Sequence, residues 1–252
     1  MNKFVKLAAI AAFAGLSFAA QASLVIDDFS SAQSVTDTTI TGGGAISTVF
    51  DSSVIGGART IYVDKTGGTG GSVGASVSEG VYSYGALGNS TGVSVIRYDG
   101  GTSGLNADGT LASIGSFTTA VDLYSLASAF EVSVLYADSG TNPAATSSFT
   151  ITIYSATGST TLTIPAIDTT DPTTFDIDFA SFFDTSSGES TSTGTGADFS
   201  AVTAMEIAIS GSYAGLQVVL DSTSAVPEPE SLALVGLGLL GLGAVRRRKA
   251  AK

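Results

Sequence analysis

The side chains that could do chemistry in this sequence are carboxylates and tyrosines, because the chain contains no histidine, cysteine or tryptophan. Without imidazole or thiolate groups, the usual ligand sets for zinc, copper and haem are missing. Catalytic triads that depend on histidine are excluded for the same reason. Carboxylates remain as ligands for a hard cation or as an acid–base pair on a glycosidic bond, and tyrosine rings remain as surfaces that stack on sugars.

Two tyrosines have the spacing of a small stacking surface. Tyr82 and Tyr84 are two residues apart in a segment that reads as a strand, so their side chains share one face. If that face is exposed, the pair is a candidate ligand site for a sugar. The same spacing suits tyrosines that fill the edge of a core, and this second interpretation stays open.

The carboxylates do not identify a catalytic pair. Between Ser23 and Val226 the chain carries 20 acidic and 3 basic residues, a net charge of −17. Among so many acids, some pair will satisfy the separation that a glycosidase needs by chance alone, and we therefore predict no catalytic residue. A surface this acidic repels phosphate backbones, which excludes nucleic acid as a partner.

The elements that position these residues read as β-strands. Apolar residues alternate with polar ones in at least five segments of the second half, which predicts strands with one buried face. The segments are FEVSVLYAD, SFTITIYS, TFDIDF, AMEIAIS and GLQVVLD. Four noisier strands are predicted in the first half, namely LVIDDF, RTIYVDK, GVYSYG and VSVIRYDG. The pattern predicts an all-β fold, a single antiparallel β-sandwich or jelly roll.

Few segments between Ser23 and Val226 have a pattern other than that of a strand or a short turn. Gly158 is predicted at the tip of a hairpin, residues 185–198 are predicted to form a surface loop, and the only helical signal is one turn near Asp122–Ala129. No repeat of fixed period is present, which argues against a solenoid.

The N-terminal segment has the composition of a secretory signal peptide. Lys3 and Lys6 precede an apolar run, and the small residues Ala20 and Ala22 stand three and one positions before a predicted cut ahead of Ser23. We therefore expect residues 1–22 to form a signal-peptide helix that signal peptidase removes. The sandwich domain is predicted over residues 23–224.

The C-terminal segment combines three different components in a fixed order. Pro227 and Pro229 flank Glu228 and favour extended backbone, and Ser231–Val245 is uncharged. As a hydrophobic helix those 15 residues would span ~22 Å, against a hydrocarbon core of ~30 Å, which makes a marginal span. A basic cluster follows and is expected to stay on the cytoplasmic side. Its members are Arg246, Arg247, Arg248 and Lys249.

These three components together resemble the PEP-CTERM sorting signal, here residues 225–252. The resemblance implies a Gram-negative bacterium that makes exopolysaccharide, and processing by an exosortase, an integral-membrane cysteine peptidase. It also implies transient residence in the inner membrane and a final location at the cell surface or in the extracellular matrix. An ordinary single-pass anchor is the alternative interpretation.

The body resembles galactose-binding-like jelly rolls in the order of its elements: DDF near the start, GGART, YDG, and the closing series from FDIDF to LQVVLD. In that family the first and last strands lie close together, and many members hold a structural calcium ion there. The resemblance therefore implies a possible calcium site from Asp27 or Asp28 with Asp221, and solvated strand ends are the alternative. No other cofactor is expected.

The sequence as a whole predicts an exported, non-enzymatic surface or matrix protein with a structural or adhesive body associated with exopolysaccharide. A carbohydrate-binding module is the alternative, and a hydrolase that acts on polysaccharide is a third hypothesis.

Overall fold

The computed structural model describes residues 23–138, 147–165, 169–211 and 214–227. Within them, fourteen strands form two antiparallel sheets that pack face to face, with a short 3-10 turn at Ile55–Gly57 and another at Phe179–Phe183. The strands are β1 (Leu24–Asp27), β2 (Gln33–Asp37), β3 (Ala45–Phe50), β4 (Ala58–Gly67), β5 (Val73–Ser78), β6 (Val81–Ala86), β7 (Thr91–Tyr98), β8 (Ala129–Asp138), β9 (Ser147–Ser155), β10 (Gly158–Pro165), β11 (Thr173–Asp178), β12 (Ser190–Gly194), β13 (Val202–Gly211) and β14 (Gln217–Val226).

Each sheet has seven strands. The first has the order β11-β8-β14-β6-β5-β2, and β1 pairs with the second half of β14. The second has the order β12-β10-β9-β13-β7-β4-β3. Because the chain crosses repeatedly between the sheets, neighbouring strands are mostly distant in sequence. The last strand, β14, is central, with β8 along one side and β6 and β1 sharing the other.

The predicted alternation is confirmed in the strands that form the core. Met205, Ile207 and Ile209 on β13 are at most 2% exposed, and Phe149 and Ile153 on β9 are equally buried. Since both sheets turn one apolar face inward, the buried residues form one continuous core between them. The all-β sandwich predicted from the sequence is therefore observed.

Two local predictions are corrected by the structure. Strict alternation from Phe130 through the segment FEVSVLYAD predicts Tyr136 on the buried face of β8. A β-bulge opposite β14 leaves Leu135 unpaired, and Ala137 takes the buried position instead. The predicted loop 185–198 contains the edge strand β12, whose backbone pairs with β10. The predicted turn near Asp122–Ala129 is present as hydrogen bonds from the Leu126 and Ala127 amides to the Leu123 carbonyl.

The predicted terminal helices lie outside the described residues, including Ala20, Ala22, Glu228, Pro229 and the basic cluster. In the part of the chain that is described, no helix has the length and hydropathy needed to cross a bilayer. Ser23 is exposed just before β1, and β14 runs to Val226, across the predicted domain boundary at residue 224.

Candidate functional site

A groove of about 850 Å³ lies at one end of the sandwich. It lies where β8 begins and where β11 and β14 end, so three segments distant in sequence form its walls. We call it the end groove. Its lining residues are Tyr124, Ala127, Ser128, Ala129, Glu131, Asp176, Asp178, Phe179, Ala180, Val226 and Pro227.

Carboxylates line one wall of the end groove. Asp176 on β11 stands directly opposite Glu131 on β8, and Asp178 lies two residues further along the same face. The buried Ile177 between the two aspartates confirms that both point outward, as the sequence predicted. Like charges directly opposite on neighbouring strands are destabilising unless a cation, a hydroxyl or water lies between them. The wall is therefore suited to accept hydrogen bonds from a polar ligand.

An aromatic ring stands at the rim of the same groove. Tyr124 is 52% exposed, and its ring stacks on Phe199 with the centroids 5.5 Å apart and the planes at 30°. Phe179 supports it from a second direction at 6.0 Å. Partial burial, followed by the negative charge of Asp198, raises the pKa of Tyr124, so the phenol stays neutral at physiological pH.

A cluster of phenylalanines forms the base beneath Tyr124. Phe130, Phe179, Phe182 and Phe199 are at most 2% exposed, and the ring centroids that touch are 4.8–5.7 Å apart. Tilted and edge-to-face contacts of this kind hold aromatic rings in defined orientations. The exposed tyrosine therefore rests on a rigid apolar support, with open carboxylates beside it. The tyrosine ring can stack on a sugar ring, and the carboxylates can accept hydrogen bonds from the hydroxyl groups of that sugar.

The three candidate calcium ligands have different environments in the structure. Strands β1 and β14 are neighbours, as the jelly-roll resemblance implied, but Asp28 and Asp221 are exposed and Asp27 is completely buried. Both carboxylate oxygens of Asp27 accept hydrogen bonds from the Arg59 guanidinium, at 2.8 and 2.9 Å. This carboxylate is neutralised by arginine and is not open to calcium. The described residues hold no group of three or more potential metal-ligating side chains.

The Asp27–Arg59 pair is the centre of a buried polar network that joins the two sheets. The Phe29 amide and the Tyr98 hydroxyl also donate to Asp27, at 2.8 and 3.1 Å. Arg59 donates to the Gln33 side chain at 2.9 Å. Burial of the carboxyl raises the pKa of Asp27, whereas the guanidinium charge and the hydrogen bonds lower it. The network serves the fold and is closed to ligands.

The structure also buries the predicted stacking pair. Tyr82 and Tyr84 lie on the same face of β6, but that face is the core, where the rings are 0% and 2% exposed. The Tyr82 hydroxyl is 2.6 Å from the Ser94 hydroxyl, which satisfies it inside the sandwich. The alternative that the spacing left open, core tyrosines, is the one observed, and neither ring can reach a sugar.

Sequence reasoning missed the end groove. Tyr124 is one of eight tyrosines in the chain, and nothing in its immediate sequence distinguishes it. Glu131 and Asp176 are 45 positions apart in the numbering and meet only through the β8–β11 register. The single available signal was the predicted turn at Asp122–Ala129, since exposed aromatic residues in turns can mark binding surfaces.

Residues 225–249 match the PEP-CTERM protein-sorting motif. The chain thus carries this sorting motif, and the match begins within β14 and includes Pro227, Glu228 and Pro229. The motif implies export and membrane-associated sorting that involves an exosortase. Comparison with curated proteins finds no match.

Several solved structures are similar in fold at low identity. One is a family 11 carbohydrate-binding module from Clostridium thermocellum in complex with a β-1,3-1,4-mixed-linked tetrasaccharide, at 15% identity, covering 81% of this chain and 96% of that one, with a TM-score of 0.38. Another is the family 11 module of cellulosomal cellulase Lic26A-Cel5E of the same organism, at 14% identity, covering 84% and 99%, with a TM-score of 0.38. A third is an agarase, AgWH50C, at 11% identity, covering 61% and 22%, with the same score. At these identities and scores the likeness carries no information on ligand or activity.

Proposed function

We propose that this protein is exported by a Gram-negative bacterium, sorted through its C-terminal tail, and retained at the cell surface or in the extracellular matrix. Signal peptidase and an exosortase are its processing partners, and the tail resides in the inner membrane only until it is cut. The observation that carries this proposal is the PEP-CTERM motif at residues 225–249.

The body has a structural or adhesive, non-enzymatic role in association with exopolysaccharide. Its net charge of −17 between Ser23 and Val226 favours solubility and opposes self-association. Its absence of cysteine means that stability outside the cytoplasm does not depend on disulfide formation. Both properties suit a protein that works in a hydrated polymer.

Expression in an exopolysaccharide-forming host tests the sorting proposal. Three forms are compared by cell fractionation and intact mass: the full chain, the full chain in a host without exosortase, and a chain truncated after Pro227. We expect the first form to lose the tail and appear in the surface or matrix fraction. The second should stay in the inner-membrane fraction, and the truncated form should be released. Full-length protein in the inner membrane of both hosts would refute sorting.

Carbohydrate binding at the end groove is the second candidate function. It is favoured by the half-exposed Tyr124 ring, which is held against Phe199 beside the outward-pointing Glu131 and Asp176. An exposed aromatic face can stack on a sugar ring, and carboxylates can accept charge-assisted hydrogen bonds from its hydroxyl groups.

Affinity electrophoresis in gels that contain the host polysaccharide separates this candidate from an inert body. We expect retardation of the exported protein that Tyr124→Ala abolishes and Asp176→Asn weakens. Phe50→Ala is the matched control, because Phe50 is also an exposed aromatic residue, at 74%, but lies at the end of β3 in the other sheet. Equal retardation of all variants would exclude the groove. Release of reducing sugar in the same samples, lost in Glu131→Gln, would instead identify a hydrolase.

A further inference from the structure

The sorting motif begins inside the folded sheet, without a linker. Its match starts at Ala225, a completely buried residue of β14 that pairs with Leu24 on one side and Phe130 on the other. The next residue, Val226, pairs with Ala129, and its carbonyl accepts a hydrogen bond from the Ser128 amide at 2.9 Å. The first two residues of the motif are therefore structural parts of the sandwich.

The distance from the body to the membrane-directed segment is consequently short. Pro227 lines the end groove, and the uncharged segment begins at Ser231. Four residue steps at 3.3–3.6 Å each span at most ~14 Å. Any peptidase that removes the tail ahead of that segment must reach its bond within this distance of the folded protein.

Strand pairing and peptidase binding compete for the same backbone groups. A peptide bound as an added strand uses its own N–H and C=O groups for main-chain hydrogen bonds with the recognising protein. At Ala225 and Val226 the strand is already paired within the sheet. To free them, the central strand of the first sheet must open locally and expose the buried Ala225, which costs free energy.

We propose that the folded sandwich protects the start of the sorting motif, so that the scissile bond lies between Pro227 and Ser231, and that the nearby body limits the rate of cutting. Hydrolysis breaks that one peptide bond with one water molecule, leaving a carboxylate on the body and an amine on the released tail. The inference rests on the proposed function, since it presupposes that the tail is processed.

A linker insertion tests this inference in the full chain. A Gly/Ser linker of about ten residues, with a root-mean-square reach of ~17 Å, is inserted between Val226 and Pro227. The control carries the same linker between Ser187 and Gly188, in an exposed turn that is not part of the tail. Pulse-chase labelling in the exosortase-containing host gives the rate of tail loss, and mass spectrometry gives the new C-terminus. Equal melting temperatures of the exported proteins check that both insertions leave the sandwich folded.

We expect the natural protein and the control to end within residues 227–230 and to be processed at the same rate. The linker variant should be cut at the same tail residue but several-fold faster. A product that ends at or before Val226, or an unchanged rate in the linker variant, would overturn the inference while leaving sorting intact. Retention of the tail in all three proteins would refute the proposed function itself, and the inference with it.

Discussion

Replacement of Arg59 by methionine should destabilise the protein more than almost any other single substitution. The Arg59 guanidinium is completely buried and donates to both oxygens of Asp27, to the Gln33 side chain and to the Ser31 carbonyl. Methionine fills much of the same volume but provides none of these hydrogen bonds. The buried Asp27 carboxylate then keeps only the Phe29 amide and the Tyr98 hydroxyl as donors.

The expected cost is about 3–5 kcal/mol, the range observed when one partner of a buried ion pair is removed. For a domain of this size each kcal/mol lowers the melting temperature by about 2–4 °C, so the shift should be roughly 6–20 °C. Denaturant unfolding of the exported protein, followed by circular dichroism, measures the free energy of unfolding directly.

Two further variants separate the buried charge from the lost packing. Adding Asp27→Asn to Arg59→Met removes the uncompensated charge, so the double variant should be more stable than Arg59→Met alone. Arg97→Met is the matched control, because the Arg97–Glu206 pair on the outer face of the second sheet is partly open, with the side chains 11% and 17% exposed. Its loss should cost less than the loss of Arg59, because both charged groups of this pair keep some contact with water. Equal costs for Arg59→Met and Arg97→Met would refute this reasoning.

Other predictions concern single buried groups. Among the described residues Thr223 Oγ1 is buried without a hydrogen-bond partner, so Thr223→Val should leave the free energy of unfolding unchanged or raise it by about 1 kcal/mol, and a clear loss in denaturant unfolding would contradict this. The Lys65 ammonium donates to three loop carbonyls at 3.1–3.3 Å, so Lys65→Met should cost about 2–3 kcal/mol in the same assay. Burial raises the pKa of Tyr62 to about 12 and that of Tyr98 well above its usual value, so the folded state holds protons that the unfolded state loses from pH ~10. Stability should therefore fall as the pH rises from 10 to 12, and a flat pH profile of the melting temperature there would refute the burial of these phenols.

The sequence predicted burial best in strands where apolar and polar residues alternate. Phe149, Ile151 and Ile153 alternate with threonines, and the structure buries all three, because a residue two positions along a strand returns to the same face. The same rule correctly predicted that Tyr82 and Tyr84 share one face of their strand. It could not say whether their face was the core or solvent, because two-residue periodicity is identical for both.

Contacts between residues that are far apart in the sequence could not be predicted, because no local pattern reports them. Asp27 was expected at a solvated strand end or a calcium site, yet its partner is Arg59, on a strand of the opposite sheet. Strand β12 was missed because its serines and threonines carry no apolar alternation. It is stabilised by backbone pairing with β10 and by hydroxyl contacts such as that between Ser159 and Thr193, 2.8 Å apart. Such contacts depend on which strands become neighbours.

The sheet-rich body, its negative charge, the absence of histidine and cysteine chemistry, and the three-part sorting tail can all be predicted from the sequence alone. All of these follow from composition or from patterns within a few consecutive residues. Three other features required the folded structure. Tyr124 and the groove carboxylates share one surface, Asp27 is paired with Arg59, and the sorting motif begins within the central strand. These depend on register and strand order, which bring residues together according to the packing of the whole sandwich rather than their separation along the chain.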